Sequence, residues 1–120
     1  MSKSIVVVDD DESLVFMLKE NFEAEGYEVR TGYDGPAVAR LVEERKPDLV
    51  LMDFNMPGWN GLQALEKLRA NPATAKLPVI FLTGEASERL LPGGGDGYTL
   101  CFSKPIELDR LNAIIQGFLT

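Results

Sequence analysis

The sequence has no histidine, a single cysteine and fewer basic than acidic residues. Its 12 lysines and arginines stand against 19 aspartates and glutamates, which gives a formal net charge of −7 at pH 7. An acidic chain without a basic stripe is a poor candidate for binding nucleic acid directly. The lone cysteine, Cys101, excludes an internal disulfide and fits a reducing compartment.

Long apolar runs are also missing, so no segment is a candidate for crossing a membrane. The first four residues lead directly into an apolar run at Ile5, and we expect no signal peptide and a cytoplasmic location. The 120 residues are 45% hydrophobic and 26% charged, which is typical of a globular domain. We therefore expect one domain over residues 1–120, which buries roughly two-thirds of the surface exposed by the unfolded chain.

The most informative stretch is residues 47–58, with the sequence PDLVLMDFNMPG. Its apolar residues 49–52 have strand length and are typical of a strand buried on both faces of a parallel sheet. The run ends on Asp53, and a loop with proline and glycine follows at once. Ligands gather at the carboxyl ends of strands in open α/β sheets, so Asp53 is a candidate site residue.

Further strand-like runs alternate with helical patterns along the chain. Asp11 is a plausible N-cap of the first helix, and Gly26 is a plausible residue just beyond its end. The alternation predicts an α/β fold: a single doubly wound, five-stranded parallel sheet with helices on both faces. The predicted strands cover residues 5–8, 28–31, 49–53, 78–82 and 98–102.

Polar or charged side chains follow four of these strands. Because the carboxyl ends of parallel strands meet at one edge, these side chains are expected to share one crevice. Several carboxylates close together need a cation, and carboxylate oxygens without His or Cys favour a hard divalent ion, best Mg²⁺. A lysine and a hydroxyl nearby could hold phosphoryl oxygens, which suggests phosphoryl transfer onto Asp53. The residues concerned are Asp9, Asp10, Asp53, Thr83 and Lys104.

Four motifs together resemble the receiver domain of two-component response regulators. They stand in the order and at the spacing of that family and span essentially the whole chain. The resemblance implies a flavodoxin-like (βα)5 fold with strand order 2-1-3-4-5. The motifs are VVDDD at residues 7–11, LMDFNMPG at 51–58, LTG at 82–84 and SKP at 103–105.

The resemblance also implies a role for each residue. Asp53 would accept a phosphoryl group from a sensor histidine kinase or a histidine phosphotransfer protein. Asp10, Asp53 and the backbone carbonyl of Asn55 would ligate Mg²⁺, with Mn²⁺ or Ca²⁺ as substitutes, and Asp9 would act largely through water. Thr83 would turn inward to bind the phosphoryl group, and Lys104 would pair with it.

The family's activity is a switch, with no enzymatic turnover beyond Mg²⁺-dependent self-phosphorylation and slow autodephosphorylation. The resemblance implies a downstream output protein or a fused output domain as partner, and no contact with nucleic acid or membrane. Phosphorylation adds roughly 1.5 to 2 negative charges to Asp53, and Thr83 and Lys104 would gain contacts only in that state.

Two departures from the family pattern concern the switch. Cys101 stands three residues before the lysine, where the family usually carries an aromatic whose rotamer follows the threonine. Phe102 is aromatic but displaced by one residue, which in a strand changes the face. A helix over 85–91 is interrupted by Pro92 and the following glycines, and we expect weak hydrogen-exchange protection across 90–97.

Three other functions are alternatives to the switch. A haloacid-dehalogenase-like phosphohydrolase would need a second aspartate two residues after the nucleophile, where Asn55 stands, and usually a cap domain. A flavodoxin-like cofactor binder would need a hydroxyl- and glycine-rich loop after the first strand, where acidic residues stand instead. A degenerate receiver that only docks partners would not need the complete set of acidic residues, Thr83 and Lys104.

Overall fold

The computed structural model describes residues 2–56, 59–84 and 98–119. Its strands, in chain order, are β1 (Ser4–Val8), β2 (Glu28–Gly32), β3 (Leu49–Asp53), β4 (Asn55–Met56), β5 (Trp59–Asn60), β6 (Val79–Thr83) and β7 (Thr99–Ser103). The five long strands form one parallel sheet in the order β2-β1-β3-β6-β7. Counted among the long strands alone, this is the predicted order 2-1-3-4-5, which is confirmed.

The helices are α1 (Glu12–Ala24), α2 (Gly35–Glu44), α3 (Gly61–Ala70) and α4 (Leu108–Leu119). Alternate side chains of the central strands point to opposite faces of the sheet. Ile5 and Val7 join a cluster with α1 and α4, whereas Val6 and Val8 join a cluster with α2 and α3. The sheet is therefore covered on both faces, as predicted. The helix expected over 85–91 and the exchange prediction for 90–97 lie outside the described residues.

The helix ends follow local sequence signals. Asp11 caps α1 by accepting a hydrogen bond from the Leu14 N–H over 3.1 Å, and Gly26 beyond its end has a φ of 93°. Both predictions are confirmed. Asn60 and Gln63 form a reciprocal capping box at the start of α3.

The last two strands of the sheet end one residue later than predicted. β6 and β7 pair in register through Thr83 and Ser103, so the ladder includes both polar residues. At the other end, Pro78 precedes β6 and offers only its carbonyl, which accepts from the Val50 N–H over 2.9 Å. Within the described ranges, none of the helices has the length and apolar content required to cross a membrane.

Candidate functional site

The register of the sheet brings two carboxylates side by side. Val8 pairs with Met52, so Asp9, directly after β1, lies level with Asp53, the last residue of β3. Asp9 is fully buried, Asp53 is 7% exposed, and Asp10 faces solvent. One carboxylate oxygen from each of the three residues lies within 4.8 Å of the others. The sequence prediction that these carboxylates converge is confirmed.

Lys104 reaches the same crevice from the end of β7. Its Nζ lies 3.0 Å from Oδ2 of Asp9 and 3.7 Å from Oδ2 of Asp53. Its backbone N–H donates to the Thr83 carbonyl over 2.8 Å, which fixes the chain where the side chain departs. The ammonium group is thus closer to Asp9 than to the candidate phosphoacceptor, a preference that the sequence did not indicate.

Backbone N–H groups satisfy one oxygen of each buried carboxylate. Oδ1 of Asp9 accepts from the Asp11 N–H over 2.9 Å, and Oδ1 of Asp53 accepts from the Asn55 N–H over 3.3 Å. Oδ2 of Asp9 is buried and, among the described residues, receives no well-aligned hydrogen bond. The Nζ atom of Lys104 lies 3.0 Å from this oxygen and forms an ion pair with it.

The electrostatics of the site raise two pKa values. Burial, followed by the negative charge of Asp9, raises the pKa of Asp53 to about 6, although Lys104 and the Asn55 N–H act in the opposite direction. Burial alone would lower the pKa of Lys104. The contact with Asp9 and the charges of Asp53 and Asp10 outweigh burial, so the pKa of Lys104 is raised. The crevice therefore holds more negative charge than its lysine neutralises.

This arrangement fits a hard divalent cation. The cluster offers carboxylate oxygens, among them a buried oxygen of Asp9 without a well-aligned donor. Mg²⁺ is commonly held by one or two carboxylates together with waters and phosphate oxygens. Asn55 lies next to the cluster in β4. Residue 55 is exposed, and its backbone N–H is the group that contacts Asp53.

The candidate switch residues lie on and beside β6 and β7. Thr83 ends β6 and is 1% exposed, one residue beyond Leu82, which pairs with Asp53. Cys101 packs against the cluster that includes α2 and α3, whereas Phe102 is buried with α1 and α4. The predicted change of face is confirmed. The guanidinium of Arg110 also covers Phe102, at 5.7 Å from the ring centroid. Phe102 is therefore not in position to replace the aromatic that the family usually carries where Cys101 stands.

Sequence reasoning missed Gly61, which lies where the loop after Asp53 closes onto α3. Its backbone N–H donates to the Phe54 carbonyl over 2.6 Å. The available signal was Asn60-Gly61 at the start of a helical pattern, which indicated only a helix start.

The described residues thus form an α/β domain whose parallel sheet carries an acidic cluster and a lysine at its carboxyl edge. The family model of the response regulator receiver domain matches residues 5–116. The chain therefore belongs to the response regulator receiver domain family. Membership in this family excludes two of the alternatives, the haloacid-dehalogenase-like phosphohydrolase and the flavodoxin-like cofactor binder.

Relatives differ in how much of their length the chain spans. It is 40% identical to the phosphate regulon transcriptional regulatory protein PhoB of Rhizobium meliloti, over 97% of this chain and 53% of that protein. It is 38% identical to the response regulator PleD of Caulobacter vibrioides, over 98% of this chain and 26% of that protein. The chain thus spans about half and about a quarter of these two relatives.

Other relatives match along their full length. The polar-differentiation response regulator DivK of Brucella anthropi is 33% identical over 99% of this chain and 98% of that protein. Among solved structures, the chemotaxis response regulator CheY4 of Vibrio cholerae has a TM-score of 0.87 at 26% identity, covering 98% of this chain and 99% of that one. The fold of the chain is thus that of a CheY-like receiver domain.

Proposed function

We propose that the chain is a phosphorylation-activated switch in which Asp53 accepts a phosphoryl group from the phosphohistidine of a sensor kinase or phosphotransfer protein. The observation that carries the proposal is the position of Asp53. It is nearly buried at the end of β3, within reach of two further carboxylates and of Lys104. Burial, followed by the negative charge of Asp9, raises the pKa of Asp53 to about 6, and a strongly perturbed carboxylate in a crevice is typical of functional sites.

The transfer is a single displacement at phosphorus. A carboxylate oxygen of Asp53 forms the new phosphorus–oxygen bond, and the phosphorus–nitrogen bond of the phosphohistidine breaks. The electron pair of that bond returns to the imidazole nitrogen. Asp53 must be ionised to act as nucleophile, and the Asn55 N–H, which donates to Oδ1, helps to orient it.

Mg²⁺ belongs to the same proposal. Asp10, Asp53 and the Asn55 carbonyl would hold the ion, with Asp9 acting largely through water and with Mn²⁺ or Ca²⁺ as substitutes. When bound, the ion neutralises charge on the acidic cluster and on the phosphoryl oxygens. Lys104 supplies the second positive charge, since its Nζ is already 3.7 Å from Oδ2 of Asp53.

The new phosphoryl group changes the contacts that the crevice can form. Lys104 moves its charge contact from Asp9 to the phosphoryl oxygens, and Thr83 donates its hydroxyl to them. Two charge-assisted contacts of about 1.5–3 kcal/mol each approach the roughly 5.5 kcal/mol that a shift from 1:99 to 99:1 requires. The Cys101 and Phe102 positions make an aromatic rotamer relay a poor candidate for transmitting the change.

The proposal extends to the partners of the chain and to its location. Receiver domains interact with histidine kinases and output domains, so we propose a kinase and an output domain or protein as partners. We also propose that residues 1–120 form one domain and that the protein works in the cytoplasm. Apart from self-phosphorylation and slow autodephosphorylation we assign no catalysis, and we expect no direct contact with nucleic acid.

The deciding experiment is intact mass spectrometry after incubation with Mg²⁺ and acetyl phosphate. We expect one phosphoryl group on the wild type, none after addition of EDTA, and none on Asp53→Asn. Asp48→Asn is the matched control, because Asp48 lies before β3 and accepts the Ser4 N–H over 2.7 Å, at the opposite end of that strand. This control should be modified like the wild type.

Two results would count against the switch. Uptake by Asp53→Asn would identify a different acceptor. Binding of Mg²⁺ by the wild type without any phosphoryl uptake would favour a degenerate receiver that only docks partners.

A further inference from the structure

The loop after Asp53 leaves β3, forms the hairpin of β4 and β5, and returns at the start of α3. It closes with the hydrogen bond from the Gly61 N–H to the Phe54 carbonyl, which has 2.6 Å between nitrogen and oxygen. The same peptide unit continues to Asn55, whose N–H donates to Oδ1 of Asp53 over 3.3 Å. Because a peptide unit is planar, Gly61 and the Asp53 carboxylate are bonded to opposite sides of one rigid group.

Gly61 can hold this group only because it has no side chain. A Cβ atom at this position would lie 2.5 Å from Cε1 and 3.0 Å from Cδ1 of Phe81, and 3.2 Å from Cα of Phe54. Phe81 has little room to move, since it is fully buried and its ring meets the Phe54 ring edge to face with centroids 5.3 Å apart. A side chain at residue 61 would therefore displace the start of α3 and, with it, the Phe54 carbonyl.

We propose that Gly61 is a positioning residue for Asp53, acting through the peptide unit between Phe54 and Asn55. Its missing side chain lets α3 sit against Phe81 at the distance that orients both the Asp53 carboxylate and the backbone of Asn55. The inference rests on the proposed function in that this orientation serves phosphoryl transfer and Mg²⁺ binding.

The test is Gly61→Ala with three measurements on the whole chain. We expect Mg²⁺ affinity, measured by calorimetric titration with MgCl₂, to fall by about tenfold or more, and the initial rate of phosphorylation by acetyl phosphate to fall similarly. We also expect the amide NMR signal of Asn55 to move in the metal-free protein, because its hydrogen bond to Asp53 is altered.

A second substitution provides the rescue. Phe81→Leu removes Cε1, the ring atom that a Cβ at residue 61 would approach most closely, and its δ-methyl groups can rotate away. The double variant should therefore recover most of the Mg²⁺ affinity and the wild-type position of the Asn55 signal. Phe81→Leu alone should stay close to the wild type in Mg²⁺ affinity. A role confined to folding would not predict that a cavity in the core restores metal binding.

Two controls separate positioning from general loosening. Gly117→Ala adds the same methyl group in α4, where, among the described residues, no atom beyond the chain neighbours and the backbone of its own helix lies within 4 Å of the new Cβ. Leu68→Ala loosens the packing of α3 near its other end, where Leu68 is buried. Both variants should keep the Mg²⁺ affinity within about twofold of the wild-type value. Both should move the amide NMR signal of Asn55 only slightly.

The outcomes distinguish this inference from the proposed function. If Gly61→Ala is destabilised but keeps wild-type Mg²⁺ affinity and an unmoved Asn55 signal, Gly61 is not a positioning residue, whatever the wild type does with acetyl phosphate. If the wild type takes no phosphoryl group while Gly61→Ala still weakens Mg²⁺ binding and moves the signal, the positioning role stands and the switch fails.

Discussion

Charged side chains have opposite roles at the two ends of the parallel strands, here called the edge where the strands begin and the edge where they end. At the edge where the strands begin, Arg69 of α3 donates to the carbonyls of Thr74 and Leu77 at 3.1 and 2.8 Å and to Oγ1 of Thr99 at 2.9 Å. At the edge where the strands end, three carboxylates face one lysine, and a buried oxygen of Asp9 has no well-aligned donor. The donors of Arg69 are thus satisfied by carbonyls and a hydroxyl of the chain itself, whereas the carboxylate cluster keeps more negative charge than its lysine neutralises.

This contrast between Arg69 and the carboxylate cluster separates residues that stabilise the fold from residues that make up the candidate site. A guanidinium can join several carbonyls of different segments because its donors form a fixed fork. Clustered carboxylates repel each other and raise the cost of ionisation. Substitution should therefore weaken the fold at the first edge and strengthen it at the second.

The largest effect is expected at the satisfied edge. Arg69→Met should lower the free energy of unfolding by about 3 kcal/mol, because part-buried carbonyls lose a charged donor. Urea unfolding monitored by circular dichroism measures this loss. Arg40→Met is the matched control: Arg40 is 62% exposed and pairs with Glu44 of the same helix at 3.7 Å, so its loss should stay below about 0.5 kcal/mol. Equal losses for the two variants would remove the contrast between the edges.

The opposite sign is expected for Asp53→Asn in the presence of EDTA. The pKa of Asp53 rises from 3.8 in the unfolded chain to about 6 in the folded one, so the folded state binds the proton more tightly. Stability is therefore lost as pH rises from about 4 to 6, and the neutral asparagine avoids this loss.

The variant should be more stable than the wild type by about 1–3 kcal/mol at pH 7 and by much less at pH 4. Urea unfolding at both pH values measures the difference. A stability difference that does not change between the two pH values would contradict the raised pKa of Asp53.

The smallest effect concerns metal binding. Lys104→Met removes a positive charge 3.0 Å from Asp9 and should tighten Mg²⁺ binding severalfold, equivalent to about 1 kcal/mol. Calorimetric titration with MgCl₂ measures the change, with Lys19→Met as the control, since Lys19 pairs with Glu23 on the surface of α1. Weaker binding by Lys104→Met would mean that the lysine supports the cation site instead of competing with it.

Much of the site could be predicted because its residues come from separate strand ends that follow one rule of parallel sheets. Four of the five predicted strands lead into polar or charged residues, and the shared direction of the strands places Asp9, Asp53 and Lys104 together. The ends of β6 and β7 were predicted one residue short, because the signals used were apolar side chains and the ladder extends through Thr83 and Ser103. The strand order came from the resemblance to the family.

Three features of this protein follow from local pattern and strand direction and can be read in the sequence: the alternation of strands and helices, the caps at Asp11 and Gly26, and the residues that converge at the carboxyl edge. Three others appear only in the folded chain: Lys104 lies nearer Asp9 than Asp53, Arg69 ties α3 to the start of β7, and one peptide unit hydrogen-bonds both Gly61 and Asp53. These depend on distances between segments far apart in the chain or on the packing of one ring against a backbone, which no local pattern encodes.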